Sequence, residues 1–183
     1  MIAVALDFET ANRHRHSACQ VALIRAEDGR VTRTLRTLLD PGGDFEALQV
    51  ALHGIGPVAV QGAPRLADLW PELAALLRDA DRVIAHNAAF DRGVLEKTLA
   101  AQGVDPPELP WECTVQRARR LLPHLPDHRL PTVCQALGVT LARHHDAESD
   151  AQATLRLAFA LDAIQAAPAL ACTAPTRVLR RAA

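Results

Sequence analysis

The sequence predicts one mixed α/β domain, a sheet covered by helices. Three observations predict it. Residues 2–7, 19–26 and 31–39 are apolar or alternating segments with short connections, the pattern of an antiparallel meander. Beyond residue 65 the apolar spacing switches from a period of two to a helical one. A short apolar run at 82–86 then interrupts the helices, as a buried strand does.

Residues 2–7 (IAVALD) are β-prone and apolar. CQVALIRA (19–26) and VTRTLRTLL (31–39) supply the next two strands, with EDGR as the turn between them. DPGGDF then breaks the pattern, and 45–64 reads as loop, punctuated by Gly54, Gly56, Pro57, Gly62 and Pro64. A helix follows with Leu66, Leu69, Trp70, Leu73, Leu76 and Leu77 on one face, and Pro71 either delays its regular part or bends it. RVIAHNAAF is a buried strand running into a turn. Residues 91–102 form a helix that stops at Gly103, and DPPELPW is a rigid connection. Two shorter helices cover 114–122 and 130–137, and a last one runs over about 147–165. Residues 1–165 make the domain. The Ala/Pro/Arg-rich remainder, 166–183, reads as flexible or loosely docked.

The net charge is −1 across 183 residues, so no strong basic field advertises duplex binding. No apolar run approaches the ~20 residues of a membrane span, and no charged leader precedes the first strand. Four cysteines are scattered without a C-x-x-C pair. A reduced, soluble, cytoplasmic protein with no membrane partner is the expectation.

Within the first strand, VALDFET carries Asp7 and Glu9 on either side of Phe8. Strand side chains alternate, so the two acids share a face and Phe8 takes the other. If the strand ends at Leu6, both acids face water. If it continues, two carboxylates lie side by side on an inner sheet, where repulsion and desolvation disfavour them unless a divalent cation is bound. Hard oxygen ligands suit Mg²⁺ or Mn²⁺. AHNAAFD (85–91) brings Asp91 to the start of a helix, as a first-turn acid or as a third carboxylate for the same sheet edge. His86 reads as loop scaffolding. RHHDAESDAQAT (143–154) puts Asp150 in the first turns of the last helix and His145 five residues earlier, on the preceding loop. Asp146 and Glu148 read as first-turn acids. Four carboxylates can hold two divalent ions ~3.5–4 Å apart, and a histidine is the natural base for a water nucleophile.

These residues resemble the DEDD superfamily of 3′–5′ exonucleases in its histidine-bearing branch, DEDDh, which includes the epsilon proofreading subunit of bacterial DNA polymerase III. DFET (7–10) matches the first motif, NAAFD (87–91) the second and HDAESD (145–150) the third. The sister branch has a tyrosine in the third motif, and this chain has none. LHGI (52–55) and CTVQRARRLLP (113–123) match further family segments. The resemblance implies an RNase H-like fold, a mixed five-stranded sheet with its first three strands antiparallel, flanked by helices. It implies release of nucleoside 5′-monophosphates from a single-stranded 3′ end, DNA before RNA, with a DNA polymerase as a possible partner. Asp7, Glu9, Asp91 and Asp150 would hold two Mg²⁺ or Mn²⁺ ions, and His145 would be the base. Thr10, His53, Asn87 and Phe90 would lie against the terminal nucleotide, with a packed core aromatic as the other reading of Phe90. The chain departs from the family where TANRHRHSA (10–18) replaces a short loop. Its Arg13, His14, Arg15 and His16 are a solvated loop, a phosphate contact or, with Cys19, a zinc site. Oligomeric state is not legible.

Overall fold

The computed structural model describes residues 1–167. From residue 168 onward, the tail expected to be flexible lies outside the described residues. The first strand, β1 (Ile2–Thr10), does not end at Leu6 but runs through both acids. It pairs antiparallel with β2 (Ala18–Glu27), which pairs antiparallel with β3 (Arg30–Leu38). Asp28 and Gly29 both take positive φ (48° and 79°), as a two-residue hairpin turn with right-handed strand twist demands. β3 is an edge strand, and Arg30, Arg33 and Arg36 along it disfavour pairing with another sheet.

On its other side β1 pairs parallel with β4 (Arg82–Ala85), and β4 with β5 (Trp111–Cys113). The order is β3-β2-β1-β4-β5, the mixed five-stranded sheet expected. Three residues are too short for a periodic signal, so β5 escapes notice between the rigid connection, which ends at Trp111, and the helix expected from 114. The ladder between β1 and β4 covers only Ala3–Ala5. Beyond it, the β4-facing edge of β1 is open where Asp7 and Glu9 lie.

Helices cover both faces. α2 (Leu66–Leu77) and α3 (Ala88–Ala101) bury Leu66, Leu73, Leu76, Val94, Leu95 and Leu99 against Val4, Leu6, Phe8, Val21 and Leu23. α6 (Ala147–Ala166) packs on the opposite face, where Ala147, Ala151, Leu155 and Ala158 meet Ala3, Ala5, Ala22, Ile24 and Ala26. α4 (Thr114–Leu121) and α5 (Leu130–Ala136) close over another side of α6, against Ala153, Leu157 and Leu161. Buried on two sides, α6 shows no clean amphipathic stripe.

Two sequence expectations change. The stretch 45–64 is not all loop, because α1 (Ala47–His53) lies within it. Residues 47–53 contain no glycine or proline and include good helix formers, and the helix stops at Gly54 in the left-handed region (φ 79°). The breakers cluster after it and mask it. α3 starts three residues earlier than its apolar spacing indicates, right after Asn87. α2 starts at Leu66 although Pro71 lies inside it. No helix among the described residues is long and apolar enough to cross a membrane.

Candidate active site

Ala3 and Ala5 face α6, so strand alternation points Asp7 and Glu9 to the same side. Asp150, in the first turn of α6, meets them there. Carboxylate oxygens of Asp7, Glu9 and Asp150 all lie within 4.8 Å of one another. Four contacts fix the start of α6 over the sheet. Asp146 caps the helix by accepting the Ser149 N–H (3.2 Å) and pairs with Arg36 of β3 (2.9 Å) and Arg143 (2.6 Å). Gln20, opposite Glu9 on β2, accepts the Ala147 N–H through its side chain (3.2 Å). Sequence reasoning passes over Gln20, because a lone glutamine in a strand carries no motif.

Asp91 arrives from the other face. Asn87 takes a left-handed conformation (φ 76°) that turns the chain from β4 into α3, and Asp91 falls in the first turn. Its Oδ1 accepts the Phe8 N–H (3.1 Å), a donor left free where the β1–β4 ladder has stopped. Asp91 thus occupies the open edge of β1 beside Asp7. It does not join the close Asp7–Glu9–Asp150 group, but its charge acts on Asp7 more than any other carboxylate does.

Glu9, Asp91 and Asp150 are buried. Burial is the largest influence on all four acids, and it pushes each carboxyl above its ordinary range. Neighbouring carboxylates push Asp7 and Glu9 further, Glu9 to about 8. The Phe8 N–H opposes the rise at Asp91, and His144 and His145 oppose it at Asp150. Asp150 Oδ2 accepts His144 Nδ1 (2.9 Å) and the His145 N–H (3.1 Å), whereas its buried Oδ1 has no partner among the described residues. Buried carboxylates that repel one another, with an oxygen left unsatisfied among them, suit hard divalent cations.

His145 lies on the loop ahead of α6 with positive φ (65°), and its ring stacks on His144 at 3.8 Å. Burial, then the His144 charge, lowers its pKa. The imidazole is therefore neutral at neutral pH, as a proton acceptor must be. A cavity of about 270 Å³ is lined by Asp7, Glu9, Thr10, Phe90, His145 and Asp150, and also by Gln49 and Leu52 from α1. Gln49 and Leu52 could not be foreseen while α1 read as loop.

Two other expected residues sit differently. His53 does not line this cavity but an adjoining one, with Arg36 and Arg143. Both its ring nitrogens are engaged, Nδ1 accepting the Ile55 N–H (3.0 Å) and Nε2 facing the Thr10 carbonyl (3.1 Å). It thereby ties α1 to β1. Asn87 also lies in a neighbouring cavity, with Arg119, His128 and Arg129. His86 scaffolds the loops as expected, bonding Thr114 Oγ1 (2.9 Å) and the His128 carbonyl (3.0 Å), and burial lowers its pKa to about 4.

Arg13 and Arg15 of the inserted loop sit differently. Arg13 is exposed beside Glu46. Arg15 folds inward onto α3, where it donates to the Ala89 and Phe90 carbonyls (2.5 and 2.8 Å) and lies over the Phe90 ring. A Cβ on Gly93 would come within 2.7 Å of the Arg15 guanidinium, so Gly93 makes room for it. Cys19 is buried in the core with its thiol pushed up to about 12, and among the described residues it joins no ligand cluster with His14 and His16.

The exonuclease family model (RNase T type) matches residues 4–158, and the chain belongs to this family, in the DEDDh branch of 3′–5′ exonucleases. It is 31% identical over 135 residues to the PolC-type DNA polymerase III of Oceanobacillus iheyensis, covering 74% of this chain and 9% of that one. It is 30% identical over 142 residues to the PolC-type enzyme of Listeria monocytogenes, covering 78% and 10%. The chain thus spans about a tenth of the length of these polymerases. Solved structures similar in fold include exonuclease X in complex with 5′-overhanging duplex DNA (TM-score 0.69, 23% identity, 90% and 92% of the two chains). Escherichia coli exonuclease I in complex with a dA16 oligonucleotide is another (TM-score 0.77, 21% identity, 90% and 41%).

Proposed function

We propose that residues 1–165 hydrolyse the terminal phosphodiester at the 3′ end of single-stranded DNA or of a frayed duplex and release nucleoside 5′-monophosphates. The observation that carries this reading is the close group of Asp7, Glu9 and Asp150, with a partnerless buried oxygen and the neutral His145 beside it. Asp7, Glu9, Asp91 and Asp150 fit two Mg²⁺ or Mn²⁺ ions, which when bound offset the carboxylate repulsion and neutralise charge on the scissile phosphate.

The chain's own groups do the rest. His145 takes the proton of the attacking water as its oxygen bonds to phosphorus. The bond from phosphorus to the 3′-oxygen of the preceding nucleotide breaks, leaving that nucleotide with a new 3′ end. Asp91 holds β1 in place through the Phe8 N–H, and Arg15 braces the turn that delivers Asp91 and Phe90. Thr10 and Phe90, lining the cavity, bound the space for the terminal nucleotide. His53 acts on it indirectly, through the Thr10 carbonyl. The likeness to PolC-type polymerases supports DNA as the polymer and a polymerase as partner. RNA is the alternative substrate, distinguished by its 2′-hydroxyl.

The test uses 5′-labelled single-stranded DNA and RNA with Mg²⁺ or Mn²⁺, and compares wild type with Asp7→Ala and His145→Ala. The expected result is a ladder shortening from the 3′ end, faster on DNA and absent from both variants. Folded protein that shortens neither polymer with either metal contradicts the reading and leaves a silent, polymerase-binding module.

A further inference from the structure

Asp150 belongs to two ligand sets. One is all oxygen: Asp7, Glu9 and Asp150. The other is His144, His145 and Asp150, whose ligand atoms also lie within 4.8 Å of one another. His144 stands outside the His-x4-Asp motif and has no step assigned in the exonuclease reaction, yet it lines the same cavity as His145 and Asp150.

We propose that His144, His145 and Asp150 form an inhibitory site for zinc, distinct from the oxygen site but sharing Asp150 with it.

Two ligand atoms on one zinc ion stand about 3.3 Å apart in a tetrahedron of ~2.0 Å bonds. His144 Nδ1 and Asp150 Oδ2 are already 2.9 Å apart. The His145 ring stacks on His144 with the planes 24° apart, so one imidazole turns out of the stack to bind the same ion as the other. Asp150 is only 4% exposed, and its Oδ1 has no partner among the described residues. Three protein ligands leave a fourth position for water.

Ligand chemistry separates the two sets. Three carboxylates suit Mg²⁺ and Mn²⁺, whereas two imidazoles with one carboxylate suit zinc, which also outranks Mn²⁺ in intrinsic affinity at such sites. The inhibitory consequence, unlike the binding, rests on the proposed role of His145. A neutral imidazole bound through one nitrogen carries its proton on the other, and so has no lone pair left to accept a proton from water. Zinc on this set therefore removes the base.

The experiment has a binding arm and an activity arm. Zn²⁺ is titrated against a chromophoric chelator in the full chain carrying Asp7→Asn and Glu9→Gln, which disables the oxygen set alone. One ion per chain should still bind. Affinity should fall at least ~10-fold on adding His144→Ala, and equally on adding His144→Asn, which keeps a hydrogen-bonding side chain but no imidazole. In the otherwise wild-type enzyme with Mn²⁺, His144→Ala should raise the half-inhibitory Zn²⁺ concentration by a similar factor. Zinc lost with the oxygen set, or zinc affinity unchanged by His144→Asn, overturns the proposal. The binding arm reads even if the chain hydrolyses nothing, so its failure is separable from failure of the exonuclease reading.

Discussion

The two faces of the sheet are built from side chains of different size. Beneath α2 and α3, β1 presents Val4, Leu6 and Phe8, while beneath α6 it presents Ala3 and Ala5. The large face is an ordinary core, where buried area supplies stability. The small face gives up some of that area. Alanine on both strand and helix lets α6 approach the sheet closely, and the same face, two residues further along β1, carries Asp7 and Glu9. Close approach is what brings Asp150 into their group. Stability and chemistry are thus divided between the two faces of one nine-residue strand.

Substitutions on the two faces should therefore fail in different ways. The largest effect on activity belongs to the small face. Ala151→Leu inserts three carbons beside Asp150 at a fully buried contact with the sheet. Overpacking of this kind costs about 1–3 kcal/mol. Displacement of the α6 end should lower the hydrolysis rate by roughly 100-fold, because small misplacements at a reacting centre are costly. Rate and melting temperature measured on the same sample check this. On the large face, Leu73→Ala removes a buried side chain of α2 remote from the acids. It should cost about 2–5 kcal/mol in denaturant unfolding, yet leave the rate per folded molecule within about twofold of wild type. Equal rate losses in the two variants would erase the distinction between the faces.

How much of this is legible in the sequence differs by element. Asp7 and Glu9 are readable because strand alternation is a rigid rule and the strand runs through them. The antiparallel meander that opens the sheet is readable for the same reason, from three well-patterned strands in a row, whereas the five-stranded RNase H-like sheet is what the family motifs imply. Asp91 and Asp150 are readable as first-turn acids of helices, but their approach to β1 from opposite faces is a property of packing. α1 is lost among breakers, and with it the cavity-lining Gln49 and Leu52. β5 is too short to show a period. The loop arginines look alike in sequence, yet Arg15 is half-buried by its fit to Gly93 of α3, a contact 78 positions away that no local pattern encodes. His53 reads as a substrate contact from its motif, and its two hydrogen bonds make it a tie between α1 and β1.

On the function proposed above, the acids on the small face are tolerated because divalent cations complete it. Metal-free folded protein holds the Glu9 carboxyl at about 8, against an ordinary 4.5. Between those values the folded state binds more protons than the unfolded one, so metal-free stability falls as pH rises through that window. Bound cations offset the cost where the acids are ionised. The most direct measurement is therefore the melting temperature with and without Mn²⁺, at about pH 5 and about pH 8, for wild type and Glu9→Gln. Metal-free wild type should be less stable near pH 8, and Mn²⁺ should restore it there more than near pH 5. Glu9→Gln should show a smaller pH dependence and a weaker Mn²⁺ effect. A wild-type protein whose melting temperature Mn²⁺ leaves unmoved at both pH values would contradict the claim.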